Sequence, residues 1–244
     1  RHNPDRTSQL AGPAILIWQG SSDTIVEGNR IIDCDRGIAF GDSSGSGVQH
    51  TGGLIRNNTF KGYEGSDVGI AVVRATGAVV EHNTVYAPGG VYGYSIEADQ
   101  PETTGVIIRN NYTDEPIWAD RRGAVATLSN NRSDAQADDF LDAAGGDLHL
   151  ADTATAVIDT ATTAGERSYD LDCEAMSGSA PDIGADEWEG ESGEDPSDPT
   201  DPDDPANPDD PADPDDPADP DDTPATNSGG SGHGSGCFIA ACAQ

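Results

Sequence analysis

Lysine occurs once in the 244-residue chain, at Lys61, and Lys plus Arg number 12 against 45 Asp plus Glu, a formal charge of −33. A nucleic-acid surface built on phosphate contacts needs clustered Lys and Arg, so no nucleic-acid partner is expected. Aromatic residues make up 5% and all hydrophobic residues 34%, with a single methionine. That is little for the broad apolar stripes of a helical bundle, while 30 glycines suit short strands joined by many turns. No apolar run approaches the ~20 residues of a membrane span. No CxxC pair or His/Cys cluster has zinc-ligand spacing, so no built-in cofactor is expected. The chain opens at Arg1 with neither Met nor a signal-peptide pattern and reads as a mature form or a fragment.

What is present is unevenly spread. Residues 191–224 hold 15 acidic side chains, ten prolines and no basic residue, which leaves −18 for the rest of the chain. Proline recurs at every third position from Pro196 to Pro220, the period of a polyproline II helix, and the intervening like charges repel and extend the chain. The reading is a disordered acidic Pro-rich stalk over 191–224, between a folded body at 1–190 and a Gly/Ser-rich terminal segment with a Cys-containing tag at 225–244.

The body repeats. Asn29, Asn58, Asn83, Asn111 and Asn131 each follow, by three residues, an aliphatic: Val26, Ile55, Val80, Ile108 and Leu128. Between them runs a second pattern in which large and small residues alternate: Gly37-Ile38-Ala39-Phe40, Gly69-Ile70-Ala71-Val72 and Gly93-Tyr94-Ser95-Ile96. Its apolar starts at 15, 38, 70, 94 and 117 imply coils of 23 to 24 residues, one of them carrying an insertion of about nine. Short strands at this period without helical periodicity predict an all-β chain in which stacked coils form a parallel β-solenoid. The five asparagines then form a ladder along the axis, each placed at a tight left-handed corner. Asn57, Asn111 and Asn131 also open glycosylation sequons, but the ladder accounts for more positions. Glu27, Arg56, Glu81, Arg109 and Ser129 form a column of alternating charge, expected on a solvated face.

Segments such as Ile55-Arg56-Asn57-Asn58-Thr59-Phe60 and Val80-Glu81-His82-Asn83-Thr84-Val85 resemble right-handed parallel β-helix repeats, a family that includes pectate-lyase-like proteins. The coils are assigned to 1–135. Phe140–Leu150 and Pro181–Glu187 resemble the choice-of-anchor Q module of bacterial surface β-helix proteins, which implies a module at 136–190 closing the coils. Gly236-Cys237-Phe238-Ile239-Ala240 resembles a CFI-box sorting tail, with Cys237 as its functional residue, although Ala241-Cys242-Ala243-Gln244 departs from the usual continuation. The resemblance implies a secreted or surface-displayed bacterial protein, attached through its tail.

Four groups of residues are candidates for chemistry. Asp35 and Asp67 occupy equivalent places in adjacent coils, where Ca²⁺ would bridge them; the competing expectation is two exposed turn aspartates splayed into water. Trp118, Asp120 and Arg122 combine an outward aromatic, a carboxylate and a guanidinium suited to a sugar ring and its hydroxyls; the competing expectation is a Trp covered by the C-terminal module. The inserted loop 41–50 carries His50, which titrates near neutral pH when free, although its Gly and Ser content fits an inert excursion equally. For lyase chemistry Lys61, Arg74, Arg121 and Arg122 are the available bases, and for hydrolysis Asp67, Glu97, Asp99 and Asp120 are the available carboxyls. None is singled out by spacing. Cys34 and Cys173 would be able to pair in an oxidising compartment. The sequence therefore points to an extracellular, monomeric β-helix that binds polysaccharide, with a polysaccharide lyase or glycosidase, or a noncatalytic adhesion module, as alternatives.

Overall fold

A computed structural model describes residues 11–91, 93–162, 169–174 and 178–189 and, for the backbone alone, 238–241. The acidic stalk at 191–224 and Cys237 lie outside the described residues.

Strands are numbered in chain order. One sheet stacks β1 (Ile15–Ile17), β5 (Ile38–Phe40), β9 (Ile70–Val73), β13 (Ile96–Asp99) and β16 (Ile117–Arg121). A second stacks β3 (Ile25–Glu27), β7 (Leu54–Arg56), β11 (Val79–Glu81), β14 (Val106–Arg109) and β17 (Ala126–Ser129). A third stacks β4 (Asn29–Ile32), β8 (Thr59–Lys61), β12 (Thr84–Tyr86) and β15 (Tyr112–Thr113). Three two-residue strands, β2 (Ser21–Ser22), β6 (His50–Thr51) and β10 (Ala75–Thr76), join the first sheet to the second. All these pairings are parallel, so the chain is an all-β parallel solenoid. Two departures follow: β18 (Phe140–Asp142) pairs antiparallel with β19 (Asp147–Leu150), and β20 (Phe238–Ala241) adds antiparallel to the free edge of β4.

Alternation explains which residues fill the coil. Ile38, Ile70 and Ile96 point inward in register, as do Phe40, Val72 and Ala98, all 2% exposed or less. With Ile31, Ile55, Phe60, Val80, Val85 and Ile108 from the other sheets they form one continuous core, and each fully buried side chain contributes about 1.5–3 kcal/mol. Gly37 is required by close approach, because a Cβ there would collide with the carbonyl oxygen of Gly69 in the next coil.

The register differs from the expected one at a single coil. Ile96, not Tyr94, stands opposite Ile70 and Ile117. A shift of two residues leaves every side chain on the same face, so alternation alone could not detect it. The insertion is the loop 41–49 between β5 and β6.

The asparagine ladder forms as expected. Asn58 Oδ1 accepts from both the backbone N–H and the amide of Asn29, at 3.0 and 2.9 Å, and the same pair of bonds recurs from Asn58 to Asn83, Asn83 to Asn111 and Asn111 to Asn131. The amides of Asn58, Asn83 and Asn111 also donate to a carbonyl of their own coil and one of the neighbouring coil, as Asn83 does to Glu81 and Ile55. The corner is made differently from the expectation: the left-handed residues are Gly28, Asn57, His82, Asn110 and Asn130, each one position before the ladder. Asn57 and Asn111 are fully buried, so those sequons are closed to modification.

The charge column is paired and largely covered, with only its last member, Ser129, exposed. Arg56 Nε donates to Glu27 at 2.7 Å and Arg109 Nε to Glu81 at 2.7 Å, and Glu81 is only 3% exposed. Residues from the C-terminal segment lie alongside this corner: Tyr169 O accepts from Asn57, Gly184 N–H donates to Asn110 O, and His82 Nδ1 meets Asp182 O. A separate core of Phe140, Leu148, Leu150, Val157 and Ile183 holds that segment together.

Candidate functional site

Register across the first sheet places Leu16, Ala39, Ala71, Glu97 and Trp118 in one outward column. The first three are small or aliphatic, and the column then becomes polar and aromatic. Sequence reading had placed Ser95 where Glu97 stands, a consequence of the two-residue slip. Beside it, Val73 and Asp99 precede Arg121 in a parallel column, with a β-bulge at β16 adding one residue. The bulge brings Arg121 opposite Asp99 and carries Asp120 out to solvent.

A cleft of about 170 Å³ opens on this face, floored by Ala39, Ala71 and Val73 and walled by Arg36, Asp67, Glu97, Asp99, Arg121 and Arg122. Three carboxylates meet three guanidiniums: Arg36 pairs with Asp67, Arg121 with Glu97, and Arg122 with Asp99 at 2.7 Å. Asp67 and Glu97 are 6% exposed and Asp99 1%, whereas Arg122 is half-exposed. Burial pushes the carboxyls of Glu97 and Asp67 above their ordinary values, against the pull of Arg121 and Arg36. Asp99 Oδ1 is buried without a hydrogen-bond partner. Folded proteins pair nearly all such atoms, so this one marks a site whose polar order was not arranged for stability alone.

Trp118, 43% exposed, does not line the cleft but stands next to it, opposite Glu97 and against Arg121, both of which do. Its ring meets Tyr94 edge-on at 5.4 Å, and the Arg121 guanidinium lies 5.3 Å from the Trp118 ring and 5.4 Å from that of Tyr94. The indole is thus held by a neighbouring ring and a cation while much of its surface stays in water; the C-terminal segment does not cover it.

Of the three residues expected to act together, Arg122 lines the cleft, Trp118 stands beside it opposite Glu97 without lining it, and Asp120 is turned to solvent. Asp35 and Asp67 are indeed neighbours across coils, with Asp67 N–H donating to Asp35 O at 2.7 Å. Neither is splayed into water: both are 6% exposed. Their carboxylates turn to separate partners, Asp35 to Tyr63 Oη and the Ala11 N–H, Asp67 to Arg36. His50 is not on a mobile loop but in β6, fully buried, its ring tilted against that of Phe40 at 4.1 Å and bonded to Ser21 Oγ at 2.8 Å. Burial pushes its pKa below the ordinary value, which removes it as a neutral-pH switch. The loop that precedes it supplies Asp42 and Ser43 to the rim of the cleft. Lys61 is held by Asp33 at 2.6 Å and Arg74 by Glu102 at 2.5 Å, on other faces. Arg36 is not among the residues the sequence offers, and Glu97 is only one of four carboxyls it offers, because their convergence depends on register. The available signal was the charged residue breaking a column of small ones.

Among the described residues no helix is long and apolar enough to cross a membrane. Cys34 and Cys173 are both disulfide-bonded. Comparison of the chain with family models, with curated proteins and with solved structures finds no match. Fold and face together define a parallel β-solenoid with a lateral ion-paired cleft.

Proposed function

We propose that the outward face of the first sheet binds a polysaccharide, with Trp118 as the platform for a sugar ring and Arg122, Asp99 and Glu97 as hydrogen-bonding groups. The observation that carries this reading is the exposed, buttressed indole beside a polar cleft. Sugar rings present apolar C–H faces and a rim of hydroxyls, and binding sites for such ligands combine aromatic surface with a few placed polar groups. The column repeats at about 4.8 Å, so an extended polymer fits the face better than a compact ligand. Net charge argues for neutral glycans over polyanionic ones.

Calorimetric titration of the full chain with neutral oligosaccharides tests this. Trp118→Ala should weaken binding at least tenfold, about 1.4 kcal/mol, without altering the fold. Equal affinity in the variant would remove Trp118 from the site, and no binding across the panel would leave an adhesion or display module.

A second reading has its own support. Glu97 and Asp99 lie on one face of β13 and both approach Arg121 Nη1, Asp99 Oδ2 at 3.9 Å, so two carboxyls stand side by side as glycosidase chemistry requires. The raised Glu97 carboxyl suits a general acid. New reducing ends released by the full chain and lost in Glu97→Gln would favour hydrolysis over binding.

The same proposal puts the protein outside the cytoplasm, at a bacterial surface. Support comes from the bonded Cys34 and Cys173, since disulfides persist in oxidising compartments, and from the anchor-Q-like and CFI-box-like resemblances. Fractionation of the producing cells checks it: recovery in the cytosol would exclude surface display.

A further inference from the structure

On the C-terminal segment, away from the lateral cleft, three side chains from three stretches of chain converge. They are His149 on β19, Asp172 from the 169–174 stretch and Asp186 from the 178–189 stretch, and their ligand atoms all lie within 4.8 Å of one another. His149 Nε2 meets Asp172 Oδ2 at 2.6 Å, and its Nδ1 meets Asp147. Asp186 is 5% exposed; its Oδ2 accepts the Leu150 N–H at 2.7 Å, and Oδ1 accepts no hydrogen bond from the described residues. A nearly buried carboxylate with one oxygen outside any hydrogen bond among the described residues thus lies beside an imidazole and a second carboxylate.

The charge is only partly balanced: hydrogen bonds to Asp172 and Asp147 raise the pKa of the His149 imidazole to about 9, so one imidazolium faces several carboxylates. Asp147 and Asp170 add to Asp172 and Asp186, and Asp170 is already saturated by the N–H groups of Asp172, Glu174 and Glu187. The nearest guanidinium, Arg30, donates through Nε and Nη2 to the Gly146 carbonyl, at 3.0 and 2.8 Å. Buried carboxylates are ordinarily paired with a cation or bound to a metal.

We propose that His149, Asp172 and Asp186 form a binding site for a divalent transition-metal ion of the Zn²⁺ class. One imidazole nitrogen and two carboxylate oxygens match the mixed N/O preference of such ions, whereas Ca²⁺ prefers oxygen ligands throughout. Ligands at about 2.1 Å from a common ion lie at most about 4.2 Å apart, so the observed spread closes with sub-ångström adjustments. Asp147 on Nδ1 fixes the imidazole so that Nε2 faces the ion, the usual arrangement for a ligating histidine. Water completes the coordination. Bound metal would staple β19 to two stretches that lack regular structure.

The test uses the full, oxidised chain, stripped with chelator and titrated calorimetrically with ZnCl₂ and, separately, CaCl₂. Because the acidic segment at 191–224 also attracts cations, the readout is the difference between wild type and two variants. Asp186→Asn keeps an acceptor for the Leu150 N–H, and His149→Gln keeps a polar group of similar reach. One Zn²⁺ per chain is expected, weakened at least tenfold in each variant while the metal-free melting temperature of Asp186→Asn stays close to wild type. Zn²⁺ binding of equal strength in both variants, Ca²⁺ binding tighter than Zn²⁺ at this site, or no Zn²⁺ uptake at millimolar metal would each overturn the proposal and leave a hydrogen-bonded clamp.

Discussion

Two polar columns run along this solenoid, and they are organised differently. The asparagine ladder repeats one residue in every coil, and each inner amide spends its donors and acceptor on neighbours directly above, below and within its own coil. The outward column of the first sheet changes identity from Leu16 to Ala39, Ala71, Glu97 and Trp118. With the Val73–Asp99–Arg121 column beside it, this face holds ion pairs, an exposed indole and a buried carboxylate oxygen with no partner. Repetition with complete pairing marks a polar group kept for the stack. Broken repetition with incomplete pairing marks one that stability alone does not explain.

The sharpest way to break that comparison is in the middle of the ladder. Asn83→Ala removes the acceptor for two donors of Asn58 and the donors to Ile55, Glu81 and Asn111, in a fully buried position. Leaving several buried groups unsatisfied at roughly 1–3 kcal/mol each should cost about 3–5 kcal/mol, read as a lower midpoint in urea. Next comes the charge column beside it. Glu81→Ala strips Arg109 of its carboxylate where Glu81 is 3% exposed but Arg109 is a quarter exposed. Solvent screens part of the loss, so about 2 kcal/mol is expected by the same measurement. Substitution on the outward face of the first sheet should be milder still. Asp99→Asn keeps the size of a side chain whose Oδ1 makes no bond and whose Oδ2 pairs with a half-exposed Arg122. Its stability should stay within about 1 kcal/mol of wild type, while oligosaccharide affinity falls. A large destabilisation would mean that this face, too, is structural.

The ladder was legible in the sequence because a parallel stack forces equivalent residues into equivalent places, so Asn29 through Asn131 could be aligned before any coordinates. The outward face was legible only in part. Trp118 and Arg122 stand out by residue type, but Glu97 takes its place from a register that alternation leaves undetermined by two residues. Arg121 faces Asp99, and Asp120 leaves the cleft, because of a bulge in β16 that no local pattern announces. The burial of Asp35, Asp67 and His50 was hidden for a different reason. Each is polar, and each is covered by neighbours from adjacent coils or the inserted loop, which short-range reading treats as solvent. The His149 cluster joins residues 23 and 37 positions apart in a segment without a repeat, so the alignment that found the ladder had no purchase there.

The smallest effect distinguishes the columns by pH. Burial holds the Glu97 carboxyl above its ordinary value of 4.5 in the folded chain, with Asp67 shifted the same way. Between the ordinary and the raised value the folded state binds more protons than the unfolded state. Stability supplied by these groups therefore rises as the pH falls through that window, and the penalty for their buried charge is largest at neutral pH. Glu97→Gln should remove part of that rise, so that the gap between variant and wild type changes with acidity in urea midpoints taken from neutral pH to pH 4.5. Amides do not titrate, so Asn83→Ala should lower the whole curve and leave its shape as it was. A Glu97→Gln curve running parallel to wild type would show that Arg121 keeps the carboxylate charged throughout. The raised carboxyl, on which the hydrolytic reading depends, would then be gone, while the binding face built on Trp118 would stand.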